Sequence, residues 1–458
     1  MKRLLIANRG EIAVRIIRAA RDLGIQTVAV ASDADIEAKH ARIADEVVHI
    51  GPAPATKSYL DTDALVRAAR ESGCDAVHPG YGFLSERASF AAAVADAGLT
   101  FVGPDAAVID QMGDKVRARQ VAGEAGVPTV PGTWEGTTDL AEAIEAAGEV
   151  GYPIMLKAAA GGGGRGIRVV ENEDELSTDF PTASSEAAKA FGDGRMYLER
   201  FVRSARHVEV QVLGDGDDAV HLYERECSLQ RRRQKVIEEA PSPGITGAVR
   251  GDMAEAAVRL CKQVGYRNAG TCEFLVDDET GEFFFIEMNT RIQVEHPVTE
   301  LITGIDLVAA QLRIAAGEPL WLRQSDITVS GHAIESRICA EDPKRGFLPG
   351  PGKIDHVELP GGPWVRTDSW LAPGSQVPPF YDSLVGKLIV WGEDRGTAIR
   401  RAKRALAEFV VDGVPTTTGF LDELLSQPWF AEADFDTGSL ERWLEDGARS
   451  TSQEGVDE

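Results

Sequence analysis

The stretch from residue 283 to residue 296 constrains this chain most. Phe283, Phe284, Phe285 and Ile286 form an unbroken apolar run, the pattern of a strand covered on both faces. The run passes directly into E-M-N-T-R-I-Q-V-E-H, residues 287–296. Read as extended chain, Glu287, Asn289, Arg291, Gln293 and Glu295 share one face, and Met288, Thr290, Ile292, Val294 and His296 share the other. A solvated strand face would account for polarity alone. It would not account for two carboxylates, a guanidinium and two amides on a strand leaving a doubly covered core, because such groups are costly to bury without partners. The stretch therefore reads as a ligand site.

A second carboxylate belongs with it. Residues 271–276 read as a strand and Asp277-Asp278-Glu279-Thr280-Gly281 as a turn. A hairpin about that turn brings Glu273 opposite Glu287. Facing carboxylates repel unless a cation lies between them. Hard oxygen donors on two strands, with the Asn289 amide, suit Mg²⁺, which commonly bridges carboxylates to phosphates. Glu273, Glu287 and Asn289 are thus the expected metal set of a magnesium–nucleotide site.

The N-terminal hundred residues alternate strand and helix. Strands are expected at 2–7, 26–31, 75–78 and 99–102, and helices at 11–23, 61–71 and 86–97, the last capped by Ser85. This alternation predicts a doubly wound parallel sheet. No G-x-G-x-x-G follows the first strand, which argues against an NAD site. That spacing occurs instead at Gly161, Gly163 and Gly166, between strands expected at 153–158 and 167–170. A glycine loop between two strands is a flap whose N–H groups can close over phosphates, with Lys157 supplying charge. No G-x-x-x-x-G-K-[ST] is present. A helix carrying Lys115 is expected at 114–125, a hinge at 127–132, and strands at 196–202, 207–213 and 220–226. Gln230 to Lys235, Q-R-R-R-Q-K, concentrates four positive charges beside the expected phosphate site and suits an anion.

Composition narrows the class. Of 458 residues, 43% are hydrophobic and 26% charged, and no run of 18 apolar residues occurs, so no membrane helix is expected. Without an export signal the expected compartment is the cytoplasm. The five cysteines show no C-x-x-C spacing, which indicates neither disulfides nor zinc. A net charge of −25 argues against nucleic-acid and anionic-membrane partners. Only 12 of the 48 basic residues are lysine; the dense carboxylates fit a halophilic protein, with an ordinary acidic protein as the alternative. The polar last dozen residues, 447–458, are expected to be a disordered tail.

Together these segments resemble biotin carboxylase, of the ATP-grasp superfamily. The matching pieces are A-N-R-G-E-I-A from Ala7, H-P-G-Y-G-F-L-S-E from His78, K-A-A-A-G-G-G-G-R-G from Lys157 and R-H-V-E-V-Q from Arg206. They continue with Q-R-R-R-Q-K-V-I-E-E-A-P from Gln230, E-M-N-T-R-I-Q-V-E-H from Glu287 and E-S-R-I-C-A-E-D-P from Glu335.

The resemblance implies an α/β and α+β architecture: an N-terminal doubly wound domain (1–112), a linker helix (113–129), a mobile ATP-grasp lid (130–202) and a C-terminal ATP-grasp and biotin carboxylase domain (203–446). It implies that Lys115, Lys157, His207 and Gln230 contact ATP, with Gly162, Gly163, Gly164, Arg165 and Gly166 over the phosphates and Glu199, Arg200 and Val202 at the adenine hinge. Glu273, Glu287 and Asn289 would bind Mg²⁺, or Mn²⁺ in its place. Lys235, Arg291, Gln293, Val294 and Glu295 would hold bicarbonate, with Glu295 as general base, and Arg337 would face biotin.

The implied activity is carboxylation of biotin through carboxyphosphate. No A-M-K-M occurs, so the biotin is expected on a separate carrier protein, with a separate carboxyltransferase subunit serving acetyl-CoA, propionyl-CoA or pyruvate. Arg18, Asp22 and Arg366 match positions near the family's homodimer contact. Arg233 stands where well-known members have His. The rivals are another bicarbonate-phosphorylating ATP-grasp ligase, of the carbamoyl-phosphate or purine-carboxylation type, and a non-catalytic nucleotide-binding regulator.

The charge carries a testable consequence. Carboxylate repulsion weakens in salt, so the melting temperature is expected to rise as KCl approaches molar levels. A flat or falling curve in a thermal scan would rule out the halophilic reading.

Overall fold

The computed structural model describes residues 1–159 and 167–454, with side-chain surroundings as far as Gly447. The glycine-loop residues Gly162, Gly163, Gly164, Arg165 and Gly166 lie outside the described residues.

The first hundred residues form a five-stranded parallel sheet ordered Glu46–Gly51, Gln26–Ser32, Arg3–Ile6, Ala76–His78 and Thr100–Phe101. Leu4, Leu5, Ile6, Val28, Ala29 and Val30 are all fully buried, as a sheet covered on both faces requires. The chain leaves Arg3–Ile6 toward one neighbour and returns to the other, so a crevice opens at the carboxyl ends of these strands, the usual place for a ligand in such sheets. The loops 7–10 and 79–87 emerge there.

Gly80 fixes the second of these loops. Its φ is +64°, and a Cβ at this position would lie 2.8 Å from Asn8 Nδ2. That amide donates to the carbonyls of Pro79 and Tyr81 at 2.7 and 2.8 Å. The expected Ser85 cap is not formed: the helix starts at Ala88 after Arg87, and Ser85 Oγ is buried without a partner. The chain turns tightly through residues 82–87, which delays the helix by two residues.

Three antiparallel strands, Ile167–Val170, Ile154–Ala158 and Met196–Arg200, form a small separate sheet. Helices Leu140–Val150 and Glu173–Phe191, absent from the sequence reading, accompany it. Asp139 and Asn172 cap them by accepting from backbone N–H groups.

The remaining architecture is built on an eight-stranded sheet, accompanied among the described residues by four two-stranded ones. Its order is Phe283–Asn289, Arg267–Asp277, Ala205–Asp215, Ala219–Glu226, Ile237–Ala240, His332–Cys339, Leu384–Gly392 and Val365–Ser369, with antiparallel pairs throughout. The final helix is Ser439–Glu454, which enters the segment expected to be a tail from residue 447. Leu440, Trp443 and Leu444, one turn apart, pack into the core beside Phe420 and Trp429 and anchor a helix that continues beyond them.

The Gly80 turn yields a direct test. Gly80→Ala places a non-glycine residue at positive φ and crowds Asn8, so a loss of about 1–2 kcal/mol is expected in urea denaturation. Unchanged stability would contradict the geometry.

Candidate functional site

The hairpin expected around residues 277–281 is present, and Glu273 pairs with Glu287 across it. The register slips between Glu273 and Phe274, so Ile286 is the extra residue of a bulge. Such bulges re-aim side chains, and this one sits where the apolar run becomes polar. The strand stops at Asn289, so the extended reading through residue 296 is corrected: 290–293 are irregular, 294–295 turn, and helix His296–Thr303 begins directly after Glu295. The polar set nevertheless stays together, joined in the cavity by Val294 of the other set. Glu287, Asn289, Arg291, Gln293 and Glu295 all line one cavity of about 450 Å³, while Met288 and Ile292 are buried in the core.

The cavity gathers residues from far along the chain. Tyr81 and Gly82 come from the crevice loop, His207 and Glu273 from neighbouring strands, Gln230, Arg233 and Lys235 from a small hairpin, and Arg337 from His332–Cys339. Arg232 and Arg233 occupy the two-residue tip of that hairpin, both with positive φ, the backbone of a tight antiparallel turn.

Lys235 Nζ lies 2.6 Å from Glu209, 2.6 Å from Glu295 and 3.3 Å from Glu273. Arg337 Nη2 meets the other Glu295 oxygen at 2.9 Å, and Arg337 Nε donates to Glu238 at 2.6 Å. Arg291 is oriented by Asn289 at 3.0 Å, Gln293 at 2.6 Å and Glu86 of the crevice loop at 2.9 Å. Glu273 accepts from Asn289 at 2.7 Å and Gln293 at 3.2 Å, and its second oxygen lies 2.9 Å from His207 Nε2. Gln230 contacts His207 Nδ1 at 2.6 Å. Lys387, fully buried, donates to the Val294 carbonyl at 2.6 Å and fixes the turn that carries Glu295.

The other expected residues lie around this centre. Lys115 Nζ is 3.1 Å from Glu287 and lines a neighbouring cavity with Glu86 and Ala159. Lys157 and Arg119 both pair with Glu199 in the small sheet. Arg200 ends that strand, and Val202 follows it, half-buried. Lys157, Glu199, Arg200 and Val202 do not line the main cavity.

Sequence reasoning missed Glu209, Arg225 and Glu238. Arg225 is fully buried and joins Glu209 at 2.5 Å, Gln211 at 2.7 Å, Thr299 at 2.9 Å and Thr271 at 3.1 Å. The signal for Glu209 was present: it follows His207 by two residues on one strand, hence on the same face.

The carboxylates fit a divalent cation. Backbone pairing puts Glu273 and Glu287 opposite each other, and ammonium groups, Lys235 on one and Lys115 on the other, meet both. Among the described residues, His207, Glu209 and Glu273 also bring three ligand atoms within 4.8 Å of one another, as do Glu209, Cys227 and Glu295. Neither group includes Glu287, whose side chain turns to Lys115.

Charges oppose burial here. Burial pushes the Glu295 carboxyl up, but Lys235, Arg337 and Arg225 together hold it well below the usual range. Glu273 is likewise lowered against burial, by Lys235 and His207. Glu238 goes the other way, pushed up to about 7 by burial, with Arg337 opposing and Glu295 adding repulsion.

A folded-state value below the unfolded one, about 4.3 for Glu, gives stability that is present above the unfolded value and lost as pH falls through the folded one. The stability gap between the parent and Glu295→Gln is therefore expected to be largest near pH 7 and to shrink below about pH 4. Urea denaturation across that range measures it; a gap constant from neutral to acid pH would contradict the assignment.

Family models match three consecutive segments: the biotin carboxylase N-terminal domain over 1–109, the carbamoyl-phosphate synthase L chain ATP binding domain over 114–323, and the biotin carboxylase C-terminal domain over 335–442. The chain is 54% identical to the biotin carboxylase of Pseudomonas aeruginosa over 447 residues, 97% of this chain and 99% of that one. The structure of a Campylobacter jejuni biotin carboxylase–β,γ-ATP complex superposes with a TM-score of 0.93 at 45% identity, over 96% of this chain and 98% of that one. The biotin carboxylase domain dimer of Hydrogenobacter thermophilus 2-oxoglutarate carboxylase, solved with MgADP, ADP and bicarbonate, gives 0.91 at 47%, over 96% and 97%. The chain belongs to the biotin carboxylase family.

Proposed function

We propose that this chain is a ligase that carboxylates biotin on a separate carrier protein, using ATP and bicarbonate and passing through carboxyphosphate. One observation carries the reading: Glu295 is gripped between Lys235 and Arg337 at 2.6 and 2.9 Å, in a cavity whose other wall holds Glu273 and Glu287.

Bicarbonate is a weak nucleophile while its hydroxyl keeps its proton. Lys235 and Arg291 attract the anion, and Gln293 and the Val294 backbone border it. When Lys235 turns part of its charge to bicarbonate, Glu295 loses support for its own charge and becomes a stronger base. Glu295 takes the hydroxyl proton, the freed oxygen attacks the γ-phosphorus of ATP, and ADP leaves. Mg²⁺, when bound by Glu273 and Glu287 with Asn289 nearby, offsets phosphate charge. Carboxyphosphate yields CO₂ and phosphate, the phosphate takes the N1 proton of biotin, and N1 attacks CO₂. Arg337 stabilises the ureido oxygen as it becomes negative. Lys115, Lys157, His207 and Gln230 are assigned to ATP, with Glu199, Arg200 and Val202 at its adenine end.

Biotin carboxylase models at both ends of the chain favour this over another bicarbonate-phosphorylating ligase, whose relationship rests on residues 114–323 alone. A separate biotin carrier protein and a carboxyltransferase subunit are the partners this reaction calls for. A homodimer is supported by the Hydrogenobacter domain dimer and by Arg18 and Asp22, exposed one turn apart on a single helix. All five cysteines are unpaired, in keeping with a reducing cytoplasm; no described helix is long and apolar enough to cross a membrane.

The two halves of the reaction separate by mutation. Glu295→Gln is expected to lose ~10²–10⁴-fold of bicarbonate-dependent ATP cleavage, the usual contribution of a general base. Arg337→Ala should keep a measurable bicarbonate-dependent ATPase while carboxybiotin formation drops by about 10²–10³-fold. Phosphate release and labelled carboxybiotin, measured side by side with free biotin, decide. Equal loss of ATP cleavage in both variants would refute the division of roles, and ATP cleavage indifferent to bicarbonate in the parent would refute the function.

A further inference from the structure

Glu335 is fully buried, and neither of its carboxylate oxygens has a hydrogen-bond partner. It faces Glu238 in the register of two antiparallel strands, where opposite side chains leave the same face about 4.5–5.5 Å apart at Cβ. Glu238 is also fully buried, and its Oε2 is likewise unpartnered while its other oxygen accepts from Arg337. Three orphaned acceptors beside one another, in a place closed to water, form an arrangement that two ionised carboxylates could not sustain. Nearby cations do not resolve it. Lys387, in the adjacent strand, spends its ammonium on the Val294 carbonyl and Glu11, and Arg337 spends its guanidinium on Glu238 and Glu295.

We propose that Glu335 is held as the neutral acid and donates its proton to Glu238 Oε2, making it a positioning residue for Arg337. One proton then satisfies two orphaned oxygens, one on each residue. It leaves Glu238 ionised on the side where Arg337 Nε donates, so the guanidinium keeps its second hydrogen bond and points its remaining edge into the cavity. Burial, with repulsion from Glu238 and Glu295, raises the Glu335 carboxyl well above its usual range against the pull of Lys387 and Arg337, which agrees with the geometry. Glu335 touches no reactant; it acts through Glu238 and Arg337. The catalytic consequence rests on the function proposed above, whereas the protonation state does not.

Two substitutions separate the neutral acid from a carboxylate. Glu335→Gln keeps the shape and an N–H donor without charge, so both half-reactions should stay within about threefold of the parent. Glu335→Met keeps the length but removes the donor, and leaves Glu238 Oε2 unpaired. It should lose carboxybiotin formation by about tenfold or more while bicarbonate-dependent ATP cleavage stays within about threefold. Infrared spectroscopy at neutral pH should show a protonated-carboxylic-acid carbonyl band in the parent that disappears in Glu335→Gln, whether or not the enzyme turns over. A Glu335→Gln variant as damaged as Glu335→Met, an unimpaired Glu335→Met, or the absence of the band would each overturn the proposal. The band present in a parent protein without bicarbonate-dependent ATPase would uphold the proton and sink the function.

Discussion

One ammonium group holds the site together. Lys235 Nζ lies within 3.3 Å of oxygens from Glu209, Glu273 and Glu295, each carried by a different segment. Three such carboxylates so close together would repel strongly in a low-dielectric interior. With Lys235 among them, and with Arg225 and Arg337 on the outer oxygens of Glu209 and Glu295, the cluster becomes an alternating array of opposite charges. The three N–H groups of Lys235 are matched by three carboxylates at unequal distances, so an arriving anion would redistribute its charge rather than add to a finished ion pair.

The eight-stranded sheet makes the array possible. Strands Arg267–Asp277 and Phe283–Asn289 carry Glu273 and Glu287, and His332–Cys339, several strands away, carries Arg337. The same hydrogen-bonded surface therefore sets the distance between the Glu273–Glu287 pair and Arg337. Arg291 and Glu86 join this sheet to the crevice of the parallel one at 2.9 Å, and Lys387 joins it to Glu11 at 3.3 Å.

How much of this was legible depended on sequence distance. The alternation at residues 287–295 told which polar side chains meet even though the strand ends at Asn289, because the chain that follows returns Arg291, Gln293 and Glu295 to the same cavity, together with Val294. The Glu273–Glu287 pairing followed from one local hairpin. Glu238 was not legible, because its meaning comes from registration against Glu335 nearly a hundred residues later. The helix Glu173–Phe191 escaped notice because Pro181 and a run of Ser, Thr and Asp weaken its intrinsic signal; Leu176, Phe180, Ala183 and Ala187 make it by packing on the small sheet. Strand Glu46–Gly51 is an edge with only Ile50 buried, too weakly patterned to stand out.

The pairing of Glu11 with Lys387, and of Arg15 with Glu300 at 2.9 Å, ties the first helix of the chain to residues hundreds of positions later. Contacts so distant in sequence bear on folding speed, since the entropy of closing such loops is lost before their contacts form. On a ribosome, the crevice loops are made long before the strand that carries Lys387 exists. The Val294 turn, and with it Glu295, gains its anchor only when residues 384–392 are in place. The carboxylate cluster is thus translated in full some ninety residues before the lysine that anchors the turn beside it.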